Sequence, residues 1–412
     1  MTDAYIIDAC RTPRGIGKVG KGALADLHPQ HLAATVLRAI ADRNGLDTAE
    51  VDDVIWGTST QRGKQGFDLA RMALLDAGYS ERASGVTLDR FCGSGITTVN
   101  LAAASVASGF EDLVIAGGTE MMSYTASIAD PAEPPMMDAG NLRLRRTVPQ
   151  SHQGICADAI ATLEGIPREA LDDLAFVSQQ RAAAAIEGGH FRRSLVPVLR
   201  EDGSVALDHE EFPRPQTTRE GLAGLKPAFP ALAEMALDAE GNTYGGYIRK
   251  AFPDLRIQHV HHAGNSSGVV DGAGAVLLAS GAYVKKRGLK PRARIVAMAN
   301  IGDNPTLMLN APVPATRKVL ARAGLTVDDI DLFEINEAFA VVAEKYIRDL
   351  RLNRDKVNVN GGAMALGHPI GATGSLLIGT LLDELERRDL RRGLVTMCAA
   401  GGMAPAIIIE RL

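Results

Sequence analysis

The sequence predicts an α/β protein of two similar halves with an inserted loop domain, and three observations carry that expectation. A helix, a glycine stop and a buried strand occur twice in the same order. A strand that runs through a Gly/Ser turn into a small-residue helix also occurs twice. Each of those helices leads to another strand ending in glycines. Strands alternating with helices imply right-handed crossovers and mainly parallel sheets covered on both faces. The shared order makes duplication a better account than convergent α/β patterning.

The first unit is the helix Ala34 to Leu46 with its stop at Gly45, then the strand Val51 to Gly57. The strand Val86 to Asp89 runs into Cys92-Gly-Ser-Gly95 and the helix Ile96 to Ser108, and the strand Leu113 to Gly118 follows. From about Met121 to about Gln258 the pattern degrades into Pro-rich loops such as Asp130 to Met137 and charged helices such as Arg168 to Glu187. Glu201-Asp-Gly-Ser204 reads as a hairpin turn, and Phe212 to Thr218 as an extended segment. Loops of that length usually cover a site, so this region is expected to act as a lid. The second copy comprises the helix Ala315 to Leu325, the strands Val327 to Phe333 and Val357 to Asn360, the helix Ser375 to Leu385 and the strand Leu394 to Gly402. The expected division is therefore 1–121 for one half, completed by about 259–285, then 122–258 for the loop domain and 286–412 for the other half.

At 412 residues with 46% hydrophobic content, the chain can build two domain-sized cores. A net charge of −5 with no long block of either sign argues against nucleic acid or an anionic membrane as the main partner. Cys10, Cys92, Cys156 and Cys398 form no CxxC pair, which suits free thiols in a reducing compartment. The N-terminus lacks the basic and apolar regions of a signal peptide, and no apolar run reaches membrane-spanning length. A soluble cytoplasmic protein with no integral membrane segment is the expectation.

Three motifs carry chemistry. The stretch Asn360 to Gly374 displays His368 among glycines, Cys398-Ala-Ala-Gly-Gly402 displays a thiol, and Asp89 to Gly95 displays Cys92. Cys92 ends a strand and opens a helix, where partial positive charge lowers a thiol pKa and exposed N–H groups can hold an oxyanion. The near-neutral pKa of histidine suits His368 as general base toward a thiol. Cys398 ends a strand at the carboxyl edge where α/β sheets hold ligands, so two thiols suggest one nucleophile and one acid/base. Asn336 also follows a buried strand; its amide can orient a water or an oxyanion, or can cap a helix. His259, His261 and His262 invite a metal reading, but no local carboxylate or cysteine completes a site, and the segment reads as a strand re-entering the core.

These residues give the whole chain a strong resemblance to the thiolase family of acyl-CoA acyltransferases. Arg90-Phe-Cys-Gly-Ser-Gly, Ala263-Gly-Asn-Ser-Ser-Gly, Asn336-Glu-Ala-Phe, Gly361-Gly-Ala-Met-Ala-Leu-Gly-His-Pro and Cys398-Ala-Ala-Gly-Gly-Met match its signatures in order. The resemblance implies two βαβαβαββ halves in a five-layered αβαβα core. It implies Cys92 as the acylated nucleophile, His368 as its activator, Cys398 as acid/base at the substrate α-carbon and Asn336 as holder of a water in an oxyanion hole. Ser267 falls in the family's CoA-binding loop. The implied reaction is thiolysis of a 3-ketoacyl-CoA, or its reverse, the Claisen condensation of acetyl-CoA. Coenzyme A enters as substrate, with no permanently bound cofactor and no metal. A homodimer or homotetramer is implied, and the extension Pro230 to Gln258 resembles thiolase subunits that pair with a hydratase/dehydrogenase subunit in bacterial fatty-acid oxidation complexes.

Two departures from the family pattern bear on the site. Ala400 stands where a glycine is usual, and a positive φ there would strain it. Gln153 stands at the position of an active-site methionine and is expected to add hydrogen bonds near the acyl pocket. Three other readings compete: a biosynthetic acetoacetyl-CoA-forming enzyme, a ketosynthase and a non-catalytic lipid- or CoA-binding scaffold. A ketosynthase is expected to carry a histidine at the place of Asn336, and a scaffold would tolerate loss of Cys92 or His368, both of which are present.

Overall fold

The computed structural model describes residues 3–130, 136–238 and 240–412. Its main strands are β1 (Ala4–Arg11), β2 (Asp53–Gly57), β3 (Ser84–Leu88), β4 (Leu113–Met121), β5 (Val270–Ser280), β6 (Ala293–Gly302), β7 (Leu332–Ile335), β8 (Arg392–Thr396) and β9 (Met403–Arg411). Their spatial order is β3-β2-β4-β5-β1-β6-β9-β8-β7. Val357 adds a single parallel bridge to Phe333 outside β7. Each half therefore runs from its edge to the middle in the same internal order, which is the duplication in three dimensions. The strands of the two halves pair at two positions, Tyr5 with Arg294 and Ile6 with Ala293.

The helices that position the site are α1 (Pro29–Asn44), α2 (Leu69–Asp76), α3 (Ser94–Ser108), α4 (Gln153–Leu163), α5 (Arg168–Glu187), α6 (Tyr244–Ala251), α7 (Pro312–Ala323), α8 (Ala340–Leu350) and α9 (Thr373–Arg387). α3 and α9 pack on each other and on strands of both halves, α1 and α2 cover the outer face of the first half, and α7 and α8 that of the second. Three apolar cores separate these layers. Val36, Trp56 and Leu69 belong to one outer core, Val319, Phe333 and Val341 to the other, and Ile96, Val99, Ile378 and Leu381 to the central one. The result is the five-layered αβαβα arrangement expected from the resemblance. Burial of each such large apolar side chain contributes about 1.5–3 kcal/mol, so the central core bonds the halves far more strongly than the short β1–β6 contact does.

Four local expectations need correction. The sheets are mixed rather than mainly parallel: β2 runs parallel to β3 and β4, and β7 to β8, but β4–β5, β5–β1, β8–β9 and β9–β6 are antiparallel. β8 and β9 are joined by a tight turn, which dictates antiparallel pairing without a crossover helix. The strand expected from Val327 begins only at Leu332, because Thr326 and Asp329 cap each other across a 3₁₀ turn at Val327–Asp329. Val357 to Asn360 is no strand beyond its one bridge. Asn358 takes a left-handed φ of 46°, and its side chain replaces the next rung by accepting from Ile335 N at 2.9 Å and donating to Ile335 O at 2.8 Å.

The fourth correction concerns His259 to His262, which lie in no strand. The Asp158 carboxylate on α4 takes the N–H groups of Val260 and His261 at 3.1 and 3.0 Å, in place of a neighbouring strand. In the inserted region the helix Arg168–Glu187 falls where the sequence places it. The Glu201–Ser204 turn joins the antiparallel pair Val198–Leu199 and Val205–Leu207. Of the Pro-rich stretch Asp130 to Met137, residues 131–135 lie outside the described residues.

Candidate active site

The first turns of the central helices α3 and α9 meet backbone to backbone. A Cβ on Gly95 would stand 2.8 Å from Gly374 N, and one on Gly374 would stand 2.1 Å from Ile96 N. Only glycine permits that approach, and it brings the chain just ahead of each helix to one place. Cys92 lies there, partly accessible, ahead of α3. The preceding Phe91 is held at a left-handed φ of 49°. Such a turn costs about 1–3 kcal/mol. Ser94 fastens it, its Oγ accepting from Arg90 N at 2.8 Å and donating to Phe91 O at 2.7 Å.

His368 precedes α9 and is buried. Its N–H donates to Gly268 O at 2.9 Å, which ties it to the residue after Ser267. Its Nδ1 lies 2.6 Å from Thr373 Oγ1, whose hydroxyl proton is committed to Pro369 O at 3.0 Å. With that proton on Pro369 O, Nδ1 donates to Thr373 Oγ1 and the lone pair is on Nε2, which makes no hydrogen bond among the described residues. Burial, and then the nearby Arg14 charge, push the His368 pKa down to about 3, so the imidazole is neutral at physiological pH.

Cys398 is buried at the end of β8. Thr396, two residues earlier, donates its hydroxyl to Pro405 O at 2.8 Å. Pro405 in turn packs on Gly93, where a Cβ would meet its ring at 2.9 Å. This brings the two cysteines into the same neighbourhood, and Cys398 is one of the groups that raise the Cys92 pKa. Asn336 follows β7, its N–H donating to Thr396 O at 3.3 Å. Its amide is buried, and neither Oδ1 nor Nδ2 has a partner among the described residues. A buried amide left unbonded costs about 1–3 kcal/mol, so a substrate oxygen or a water bound there recovers that cost. Ser267 N donates to Ala338 O at 3.0 Å, beside Asn336.

The thiols differ from expectation. Burial, followed by Cys398 and Glu120, raises the Cys92 pKa above that of an ordinary thiol instead of lowering it, and these effects outweigh the opposing backbone hydrogen bond at Cys92. Burial pushes Cys398 up to about 12. Both thiols and the imidazole are therefore neutral at rest, and no standing thiolate is present.

The departures resolve locally. Positive φ falls on Gly401 at 76° and Gly402 at 77°, and Ala400 is not among the left-handed residues, so its Cβ carries no strain of the kind expected. Gln153 is the first residue of α4 and is exposed. The three histidines are occupied by two buried carboxylates. His259 and His261 face Asp158 at 2.7 and 2.8 Å, and His262 faces Asp172 at 2.9 Å. Among the described residues no group of three or more histidines, cysteines or carboxylates could hold a metal ion. Sequence reasoning missed Thr373 as the residue that sets the imidazole tautomer; its position five residues after His368, at the start of a helix, was the available signal.

Duplicated α/β halves with two thiols, an imidazole and an open amide gathered at their strand ends define an acyltransferase class. Residues 4–233 match the family model for the thiolase N-terminal domain and residues 289–411 that for the thiolase C-terminal domain. A steroid 3-ketoacyl-CoA thiolase of Mycobacterium tuberculosis is 41% identical, aligned over 100% of this chain and 95% of its own. An acetyl-CoA acetyltransferase of Chromobacterium violaceum is also 41% identical, over 99% of this chain and 100% of its own. The crystal structure of the Bacillus anthracis acetyl-CoA acetyltransferase superposes with a TM-score of 0.84 at 34% identity, covering 100% of this chain and 99% of that one. The chain belongs to the thiolase family, and its activity is that of a thiolase: acyl transfer to or from coenzyme A with cleavage or formation of a carbon–carbon bond.

Proposed function

We propose that this thiolase works degradatively, cleaving 3-ketoacyl-CoAs longer than acetoacetyl-CoA through an acyl-enzyme on Cys92. The observation that carries the mechanism is the neutral, buried His368 with Nε2 unbonded in the protein. His368 takes the Cys92 proton as Sγ attacks the 3-keto carbon. The C2–C3 bond breaks, and Cys398 gives its proton to the departing acetyl-CoA carbanion. The Cys398 thiolate then takes the proton of incoming coenzyme A, whose sulfur attacks the thioester, and His368 returns its proton to Cys92. Every group ends as it began. A water held by Asn336 stabilises one oxyanion.

Acyl length is supported by a row of rings leading away from Asn336. Phe339 contacts Phe229 at 6.0 Å, Phe229 contacts His152 at 5.7 Å, and His152 contacts Tyr244 at 5.7 Å. Tyr244 comes from the extension 230–258 and is buried with Phe339 in one apolar core, so that segment packs against the region of Asn336, where we place the acyl tail. Each methylene buried there adds about 0.8 kcal/mol to binding. The names of relatives also support this reading, since one 39% identical over the whole chain is a β-ketoadipyl-CoA thiolase of Pseudomonas aeruginosa. Ser267 and its loop hold coenzyme A. Ala263 and Gly264 of that loop line a cavity of about 270 Å³ together with Phe212, Arg214 and Thr218.

The same reading takes 1–121 with about 259–285, 122–258 and 286–412 as the structural units, the middle one as cover. It places the enzyme in the cytoplasm as a homo-oligomer. β3 is an edge strand with Val86 45% exposed; its Thr87 bonds Asp68 at 2.8 Å, and the neighbouring Phe67 is 91% exposed. An open apolar edge of this kind suits a second copy of the chain. No helix among the described residues is long and apolar enough to cross a membrane.

Thiolysis rates across 3-ketoacyl-CoAs of increasing length test the proposal, with acid trapping and mass spectrometry to locate the acyl group and light scattering for mass. Rates should rise beyond four carbons with the adduct on Cys92. Turnover of acetoacetyl-CoA alone, with no hydratase/dehydrogenase subunit on co-purification, would assign the biosynthetic acetyltransferase reading instead. The Chromobacterium relative favours that alternative by name.

A further inference from the structure

The turn bearing His368 belongs to the second half, whereas Cys92 belongs to the first, so something must fix one half against the other at the site. Gly371, three residues after His368, is wedged between the ends of β2 and β4. A Cβ on it would stand 2.5 Å from Thr58 Cα and 3.0 Å from Gly57 O, and a Cβ on Gly118 would stand 2.3 Å from Gly371 O. Glu120, at the end of β4, is fully buried beside this wedge. Its Oε2 accepts from Ser59 N at 2.7 Å and from Gly371 N at 2.9 Å, and its Oε1 accepts from Gln65 Nε2 at 2.9 Å. Gln65, itself fully buried, accepts from Met121 N at 2.7 Å, which holds the carboxylate from behind.

We propose that Glu120 is a positioning residue that locks the His368 turn onto the first half and so sets the imidazole against the Cys92 thiol. The connection is short and rigid at each step. Glu120 holds Gly371 N, the N–H groups of Ala372 and Thr373 both donate to Pro369 O at 2.9 and 3.0 Å, and Thr373 Oγ1 holds the His368 ring. A shift of about 1 Å in such a constellation can cost on the order of 10²-fold in rate. The inference rests on the reading of His368 as the base for Cys92.

The charge of Glu120 and its positioning act on Cys92 with opposite signs, and this makes the two separable. As a nearby anion it raises the thiol pKa. Removing the charge alone would therefore lower the pH midpoint for alkylation of Cys92. Displacing His368 would instead remove the acceptor that takes the thiol proton during attack, and so slow the alkylation that persists below that midpoint.

The test measures steady-state thiolysis and the pH dependence of iodoacetamide alkylation at Cys92, read by mass spectrometry, in the full-length wild type and in Glu120→Ala, Glu120→Gln, Gly371→Ala and His368→Ala. Glu120→Ala should lose about 10²-fold in kcat with the KM for coenzyme A within about twofold, and should alkylate more slowly below the midpoint despite the lost charge. Glu120→Gln keeps an oxygen for Gly371 N and should recover part of kcat. Gly371→Ala keeps the carboxyl group but crowds it, its Cβ standing 2.9 Å from Glu120 Oε2 and 2.5 Å from Thr58 Cα; it displaces the turn and should reproduce the slowed alkylation even if Glu120→Ala fails to fold. An unchanged kcat, or alkylation below the midpoint as fast as in wild type, in the folded Glu120→Ala variant would overturn the proposal. If His368→Ala alkylates like wild type, it is the reading of His368 as base that fails, a separate outcome.

Discussion

The two halves build equivalent strand ends and place different chemistry on them. In the first half β3 reaches α3 through residues 89–93 with Cys92 between, whereas in the second the Val357 bridge reaches α9 through the longer segment 358–372, which carries His368. β4 carries Glu120 one residue before its end, bonded to backbone and Gln65, while the equivalent β8 leads to the buried thiol Cys398. β2 ends at Gly57, while β7 leads to Asn336 with its unsatisfied amide. One half thus carries Cys92 and the buried Glu120, the other His368, Cys398 and the unbonded Asn336 amide. Residues beyond the last ladder hydrogen bond are free of the constraints that keep the sheets alike, so divergence concentrates there.

The sharpest way to break this comparison is to remove each thiol in turn. Cys92→Ala should abolish acylation and cleavage together, by at least about 10⁴-fold, because no other group can carry the acyl chain. Cys398→Ala should lose about 10³-fold in thiolysis while acetyl-CoA still labels Cys92, detectable as a +42 Da adduct, roughly one acetyl group, since a carbanion cannot leave without a proton donor whereas the weakly basic coenzyme A thiolate can depart unprotonated. Labelling lost in both variants would mean that the two halves do not divide the work as described.

A smaller effect is expected where the second half sets the imidazole. Thr373→Val keeps the shape of the side chain but removes the acceptor for Nδ1–H; kcat should fall about 10- to 100-fold with coenzyme A binding unchanged, and Thr373→Ser should restore it. An equal loss in the serine variant would point to packing rather than tautomer control.

The pH dependence sharpens the contrast between halves further. With His368 pushed down to about 3, kcat/KM should show no acid limb near 6.5, measured down to the pH at which the protein remains folded. The linked stability has a definite sign. A base whose folded pKa lies below its ordinary value adds stability that is complete above about pH 6.5 and is lost as the pH falls toward 3. Thermal melts should therefore show a decline on acidification that is shallower in His368→Gln. The smallest effect belongs to Ala400→Gly. Positive φ is already carried by Gly401 and Gly402, so activity should stay within about twofold and stability should fall by less than about 1 kcal/mol, the entropic cost of an added glycine.

By itself the sequence determined the α/β class, the duplication, the helix Arg168–Glu187, the Glu201 to Ser204 turn and the candidate groups Cys92, Asn336, His368 and Cys398. These follow from local causes: hydrophobic period, turn chemistry, and reactive side chains displayed among glycines at strand ends. Only the tertiary structure decided that the sheets are mixed, that His259 and His261 belong to Asp158, that Thr373 puts the proton on Nδ1, and that the thiols rest neutral. The Glu120–Gly371 hydrogen bond is the clearest case, since the two residues stand 251 positions apart in the chain and meet at 2.9 Å. Burial and the pairing of distant polar groups depend on which elements close over which. The sign of a thiol's pKa shift at a helix N-terminus is set by that enclosure, and no local pattern of residues encodes it.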